Sequence, residues 1–450
     1  MEELLEVKAD ELKQYLVEEN MEGFRQVFLE MHPYEQAMFF REQNKDDRIK
    51  VYTYLSPLEM SDIMEYIELE ETEKLITEMD PRFATMVLEE MAVDDAVDIL
   101  KELSIDEVAS FLAVMDPKAA DEIKALLHYE EKTAGSIMTT EFVAVYTHQT
   151  VKETLKRMKE IALSAETIYY IYVLDENKRL VGVLSLRDLI VADENDMIKD
   201  VMSEGVVSVS VGRDQEEIAQ MMMDYDFLAL PVVDFQNHLL GIITVDDILD
   251  VIDEEATEDY SKFAALSDYN VRDVSPIQAA KKRLPWLIIL LFLGMVTASL
   301  IGSFEKTLEK VPIVAIFIPL IAGMAGNAGT QSLAVAVRGI AVGTYGNENR
   351  WKLILREVTT GILVGSACGI VVTLMIYFWK GNFFLGVLVG IAILATLTVA
   401  TLSGTIIPLI MEKFNIDPAV ASGPFITTLN DITSVLIYFG MATIFISFLL

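Results

Sequence analysis

The sequence predicts a multidomain protein: an all-α helical-repeat N domain, then an α/β tandem pair, then an α-helical polytopic membrane domain with five spans. Three observations carry this prediction. Charge is segregated: residues 1–283 hold 63 Asp/Glu against 27 Lys/Arg, whereas residues 284–450 hold 7 against 8. Two internal repeats of different period lie in the acidic part. Five apolar runs, each long enough to cross ~30 Å of hydrocarbon, lie in the other. A mean hydropathy of +0.36 beside 23% charged residues fits such a division and not one uniform soluble fold.

Residues 56–127 fall into six consecutive blocks of twelve: SPLEMSDIMEYI, ELEETEKLITEM, DPRFATMVLEEM, AVDDAVDILKEL, SIDEVASFLAVM and DPKAADEIKALL. Several open on Ser or Asp, residues that cap helices, and each closes on apolar anchors. Short stacked helices follow, so residues 1–130 are expected to be helical throughout, a small solenoid with polar edges in water. Met1 to Asp10 is acidic and carries no apolar signal segment, which places this soluble part in the cytosol.

A second duplication covers residues 134–253. VYTHQTVKETLKRM and YIYVLDENKRLVGVLSLRDLI are answered about sixty residues later by VSVGRDQEEIAQMM and LPVVDFQNHLLGIITVDDILD. Each copy reads strand, helix, strand, strand, helix. With G-x-x-[ST]-x-x-D at Gly182, Ser185, Asp188 and at Gly241, Thr244, Asp247, the segment resembles a tandem CBS pair. That resemblance implies a site for ATP or another adenine nucleotide, with Tyr170, Arg187 and Asp188 as the side chains to test. The alternative is that the hydroxyl and Asp merely cap the next helix.

The apolar runs lie near residues 284–304, 312–337, 358–379, 383–411 and 419–449. With the N-terminus inside, the inner flanks hold Lys281, Lys282, Arg283, Arg338, Arg350, Lys352, Arg356 and Lys413, against Lys306, Lys310 and Lys380 outside. An odd number of spans then puts the C-terminus outside. Five helices are few to enclose a hydrophilic path, so a homodimer sharing a pore is expected. Cytosolic N-terminus and absent targeting signal suit a bacterial inner (plasma) membrane.

Two motifs interrupt the apolar pattern. GMAGNAGTQS, Gly323 to Ser332, is glycine-rich and polar, with Gly326, Asn327 and Gly329 as candidate pore-lining positions; small-residue helix packing is the alternative. In DPAVASGPFITTLNDITS, Asp431 stands twelve residues beyond Ala419, about 18 Å along a helix and near the midplane. A carboxylate there faces a water-filled path or a cation, or else makes a structural hydrogen bond to nearby Thr or Asn. Asn327 falls at comparable depth, so the two features can meet. Carboxylate, amide and carbonyl oxygens, with no His and only Cys368 in the spans, suit a hard cation such as Mg²⁺.

Together, the twelve-residue blocks, the CBS pair, GMAGNAGTQS and DPAVASGPFITTLND resemble the MgtE family of magnesium channels over nearly the whole chain. The resemblance implies a homodimer with a plug or connecting helix in residues 254–283, a five-helix pore domain in residues 284–450, and closure by cytosolic Mg²⁺. It assigns Asp431 to the pore's Mg²⁺ site and Asp417 to a second position at the cytosolic mouth; Gly423 stands where some members carry Asn. The implied sensor ligands are Asp94 and Asp98 in the N domain, with Ser136. Asp214, Glu216, Met223 and Asp226 follow in the second CBS region, and Asp247, Asp250, Glu255, Glu258 and Asp259 toward the plug. Ser136 and Met223 would offer backbone oxygens. Any one of these acids alone also fits a solvated acidic face.

Other classes are disfavoured. An acidic excess of this size opposes nucleic-acid binding, which needs neutralising Lys/Arg. His32, His128, His148 and His238 show neither metal spacing nor a nucleophile partner, so no enzyme is expected. Transport of Co²⁺, Mn²⁺ or Ca²⁺, or a membrane-anchored nucleotide sensor without flux, are the remaining alternatives.

Overall fold

The computed structural model describes residues 2–162, 165–266, 275–341, 350–414 and 416–449. They form two compact units, Met1–Ile252 and Asp253–Leu450.

The first unit opens with helices α1 (Glu2–Val17), α2 (Met21–Phe28), α3 (Pro33–Arg41) and α4 (Lys45–Tyr54). Six more follow: α5 (Pro57–Met64), α6 (Leu69–Glu78), α7 (Pro81–Glu90), α8 (Val93–Glu102), α9 (Ile105–Val114) and α10 (Pro117–Leu126). Their boundaries coincide with the twelve-residue blocks. The first residue of each block is the N-cap, and Ser56, Asp80, Ser104 and Asp116 accept a backbone N–H of the first turn. Pro at the first helical position of α5, α7 and α10 costs no hydrogen bond there. Glu68 and Ala92 make no side-chain cap; α6 and α8 are held by packing, through Leu75 and Ile76 and through Ala96, Val97 and Leu100.

The α/β pair consists of β1 (Ala144–Tyr146), α11 (Val151–Ile161), β2 (Tyr170–Leu174), β3 (Leu180–Ser185), α12 (Leu186–Val191) and α13 (Ile198–Val201). The second copy holds β4 (Val209–Ser210), α14 (Gln215–Tyr225), β5 (Ala229–Val233), β6 (Leu239–Thr244) and α15 (Val245–Phe263). Each copy makes a three-stranded sheet whose first strand is parallel and whose third is antiparallel to the middle one. The duplication extends to register: Val173 pairs with Gly182 and Val232 with Gly241, each just before a bulge. The copies pack through Tyr172, Leu174 and Leu180 against Ala229, Val233 and Ile242.

The second unit takes the last turns of α15, then α16 (Pro276–Ser303), α17 (Glu305–Lys310), a 3₁₀ turn at Pro312–Phe317, and α18 (Ile318–Ala341). Next come α19 (Arg350–Lys380), α20 (Phe383–Lys413), a 3₁₀ turn at Pro418–Val420, α21 (Gly423–Ile444) and α22 (Ile446–Leu449). Among the described residues, five helical segments are long and apolar enough to cross a membrane. α20 is the most enclosed of them. Glycines set its neighbour's distance: a Cβ on Gly365 would lie 2.9 Å from the backbone of Leu394, and one on Gly369 2.6 Å from that of Gly390. Close backbone approach of this kind drives helix association where lipid supplies no hydrophobic force.

Several bounds differ from the sequence reading: α16 begins at Pro276 and α19 at Arg350, ahead of the expected starts at 284 and 358. The last span begins at Gly423, because Asp417 and Pro418 first form the 3₁₀ turn and Pro424 fits the first turn of a helix without losing a hydrogen bond. Of the residues expected to form the plug or connecting helix, 254–283, those up to Phe263 continue α15, residues 267–274 lie outside the described residues, and those from Pro276 open α16.

Candidate metal centres

In the membrane unit, α18, α20 and α21 meet at glycines. A Cβ on Gly329 would fall 1.9 Å from Asn430 Nδ2, and one on Gly404 2.3 Å from the carbonyl oxygen of Gly329. Asn430 is fully buried; its Oδ1 accepts the Ser403 hydroxyl at 2.7 Å. Gly326 likewise admits Thr427, whose methyl would lie 2.8 Å from a Cβ there. Gly326 and Gly329, two of the expected pore-lining positions, thus lie against α21, and Asn327 lies on the exposed side of α18.

Asp431 follows Asn430 and is thereby held in place. It is half-buried, eight residues into α21 and so about 12 Å along it. Among the described residues its carboxylate has neither an ion pair nor a hydrogen-bond partner, although its backbone carbonyl accepts from Ser434. Glu357, the other carboxylate within a span core, is satisfied: Ser332 donates to it at 2.9 Å and Arg356 lies 3.3 Å away. One turn before Asp431, Thr427 and Thr428 line a cavity of about 580 Å³ with Thr330, Gly423, Pro424 and Leu290. Tyr260 and Phe263 of α15, with Ala264 just beyond its end, complete the wall.

Asp417 stands at this end of the unit. Its Oδ1 accepts the Ala419 N–H at 2.8 Å and its Oδ2 takes the Lys262 ammonium. Burial pushes Asp259 above the ordinary carboxylate range, helped by the charge of Asp417. Burial works against the charge on Lys262, but its contacts with Asp417 and Glu258 outweigh that and raise its pKa.

In the first unit a group of acids gathers between α5, α8, the CBS loops and the start of α15. Asp94 is 8% exposed and its Oδ1 has no partner. Burial, then the charges of Asp95 and Asp247, hold its pKa well above normal. Asp95 is pushed up to about 8 by burial and by Glu65, Asp247, Asp98 and Glu166. Glu65 reaches about 7 through burial, with Asp62, Glu166 and Glu141 adding. Asp247 reaches about 6, burial outweighing the hydrogen bonds it accepts from Thr244. Asp98 pairs with Lys101 at 2.9 Å. An orphaned buried carboxylate oxygen among further carboxylates fits a hard divalent cation, whose charge offsets their repulsion.

Of the expected sensor ligands, Asp94 and Asp247 are brought together here, with Asp98 on the same helix. Asp214, Glu216, Asp226 and Asp250 are exposed; Asp214 caps α14, and Asp226 ends it in a left-handed turn (φ 54°). Ser136 Oγ donates to the Thr133 carbonyl, and Met223 is exposed. Glu255 and Glu258 lie further along α15. Among the described residues no three His, Cys, Asp or Glu side chains converge on one metal-sized point. Sequence reasoning missed Glu65, Asp95, Glu141 and Glu166, because acids this far apart in sequence carry no spacing signal.

At the CBS motif, Tyr170 pairs with Ser185 across β2 and β3. Asp188 accepts the Ser185 N–H and hydroxyl at 2.9 and 2.7 Å, which lowers its pKa. The capping reading is thus realised, and it leaves Arg187 and Asp188 exposed at the start of α12.

Comparison with known families matches residues 318–441 to the MgtE divalent cation transporter domain, residues 31–132 to the MgtE intracellular N domain, and residues 134–195 and 198–254 to CBS domains. The chain is therefore a membrane transporter of the divalent-cation class with a CBS-containing intracellular part. It is 49% identical to a magnesium transporter MgtE of Enterococcus faecalis over 97% of each chain, and 41% identical to that of Bacillus subtilis over 94% of each. The protein belongs to the MgtE family. Among solved structures, the soluble part of a magnesium transporter matches 56% of this chain and 99% of its own, at 48% identity and TM-score 0.54. The cytosolic domain of the Mg²⁺ channel MgtE in complex with ATP matches 54% and 99%, at 41% identity and TM-score 0.52.

Proposed function

We propose that this protein passes Mg²⁺ passively into the cell through a pore whose ion-facing carboxylate is Asp431, and that cytosolic Mg²⁺ closes it. The observation that carries the reading is the half-buried Asp431 carboxylate in a membrane helix, without a partner among the described residues, one turn above a cavity whose mainly apolar wall includes Thr330, Thr427 and Thr428. A charge in such a place is expensive unless water or a cation meets it. Mg²⁺ gives up its waters reluctantly, so one carboxylate with hydroxyls and carbonyls offers water-mediated contacts. A second subunit would supply the facing carboxylate; the exposed Asn327 and Gln331 on α18 favour a wet or shared face there.

Gating follows from the acids. Metal-free, Asp94 and Asp95 share this buried site by keeping protons, because their charges would repel one another and that of Asp247. Divalent cations replace those protons and bridge the carboxylates, and the state that binds them better gains population by mass action. Glu255, Glu258, Asp259 and Asp417 offer further oxygens beside the cavity. Asp98, Ser136, Asp214, Glu216, Met223, Asp226 and Asp250 remain candidate ligands of the closed, metal-loaded state. Adenine nucleotide at Tyr170, Arg187 and Asp188 would add to the closed state's affinity, with the C-terminus outside the cell. The test is Mg²⁺ uptake into Mg²⁺-free proteoliposomes. Flux abolished by Asp431→Ala, and freed from inhibition by inner-face Mg²⁺ in Asp94→Asn/Asp247→Asn, supports the reading; full flux through Asp431→Ala refutes it.

A further inference from the structure

We propose that Glu357 is a positioning residue for the ion path: by holding Ser332 it fixes the rotation of α18, and with it the face that carries Asn327 and Gln331. What this does to flux rests on the pore reading above; the contact itself does not. Glu357 lies seven residues into α19 and is 7% exposed; Ser332, 4% exposed, donates to its Oε2 at 2.9 Å. Arg356 Nε lies 3.3 Å from the other oxygen, on a half-exposed side chain. Several hydroxyls of these helices bond their own helix one turn back, as Thr330 does to Gly326 and Thr360 to Arg356. Ser332 instead gives its one hydrogen to a different helix.

That bond closes a bracket of three helices. The Glu357 backbone is tied to α20, whose Thr401 donates to its carbonyl oxygen at 3.3 Å and fits against Gly361. One turn on, Gly404 of α20 meets the backbone of Gly329 and Leu333 on α18. Contact through a glycine sets how close α18 lies, but offers no side-chain ridge to stop it turning. Glu357 supplies that constraint, because a hydrogen bond has a direction. Successive residues of a helix stand about 100° apart, so a fixed Ser332 also fixes Gln331 beside it and Asn327 one turn before Gln331, both on the exposed side. Toward α21, the same rotation sets Gly329 against Asn430, the neighbour of Asp431. Stability does not account for the carboxylate: a buried charge in a membrane helix is costly, and an apolar side chain of similar size would pack there without that cost.

The experiment compares Glu357→Leu, Glu357→Gln, Ser332→Ala and the pair Glu357→Leu/Ser332→Ala in the full chain, by Mg²⁺ uptake into proteoliposomes and by Tm in detergent. Glu357→Leu and Ser332→Ala are each expected to raise the Mg²⁺ concentration for half-maximal uptake several-fold, and the pair no further, because both cut one contact. Glu357→Gln keeps an acceptor oxygen for Ser332 and is expected to match wild type, while Glu357→Leu keeps or raises Tm. Wild-type half-saturation in Ser332→Ala, or effects that multiply in the pair, overturns the proposal; Ser332→Ala decides alone where Glu357→Leu fails to fold. Glu357→Gln behaving as Glu357→Leu overturns it too, since the charge and not the hydrogen bond would then be the functional element. A second readout needs no flux: in a Cys368→Ser/Gln331→Cys chain, the rate of reaction with a hydrophilic maleimide is expected to change several-fold with Ser332→Ala and to hold with Glu357→Gln. A rate that shifts so beside a wild type without uptake sinks the pore reading alone, whereas a rate that Ser332→Ala leaves unchanged sinks the positioning role.

Discussion

Asp95→Asn should flatten the pH dependence of stability of the metal-free protein. Asp95 titrates near 3.8 when unfolded and is raised to about 8 in the fold, chiefly by burial and then by Glu65 and Asp247. Between those values the folded protein keeps a proton that the unfolded chain has lost. Stability therefore falls as pH rises through the interval, and the loss levels off above about 8. One such proton is worth roughly 1 kcal/mol per pH unit. Glu65, raised to about 7, adds to the slope below pH 7, and Asp247, raised to about 6, below pH 6. Urea unfolding of the soluble part in chelator, from pH 5 to 8, measures the slope. In Asp95→Asn the amide carries no charge to bury, so the slope between pH 5 and 7 should drop by roughly 1 kcal/mol per unit, with a gain in stability at pH 8. Saturating Mg²⁺ should flatten the wild-type slope in the same way, since a divalent ion replaces protons as the partner of the carboxylates. An unchanged slope in Asp95→Asn would show that these acids are not jointly buried when the protein is folded.

Three further outcomes are expected. Gly329→Ala places a methyl within 1.9 Å of the Asn430 amide and should cost several kcal/mol, read as a fall in Tm of detergent-solubilised protein; a Tm within a degree of wild type would contradict the glycine contact. Asn430→Ala, which removes the fully buried amide that accepts the Ser403 hydroxyl, should cost about 1–3 kcal/mol and lower Mg²⁺ flux by displacing Asp431. Asp188→Ala removes the reciprocal half of the capping box around the Ser185 N-cap, costing about 1 kcal/mol, and should weaken adenine-nucleotide binding in equilibrium dialysis; Asp188→Asn, which keeps an oxygen to accept the Ser185 N–H, separates the two effects if it restores stability but not binding.

The sequence by itself determined the local architecture. The twelve-residue blocks set the ends of α5 to α10, because an N-cap acts on the two or three residues after it and needs nothing distant. The sixty-residue duplication set two like sheets down to register, and apolar length set the spans. Asp431 was legible as a carboxylate where lipid forbids one. Tertiary structure alone decided which groups meet. That Gly326 and Gly329 lie against Thr427 and Asn430 could not be read from GMAGNAGTQS, since what a glycine faces depends on the helix opposite. Glu65, Asp95, Glu141 and Glu166 come together from separate elements, and Lys262 reaches Asp417 across 155 residues. Such encounters leave no period in the sequence, because burial and electrostatic coupling depend on distance in space, which the chain order does not encode.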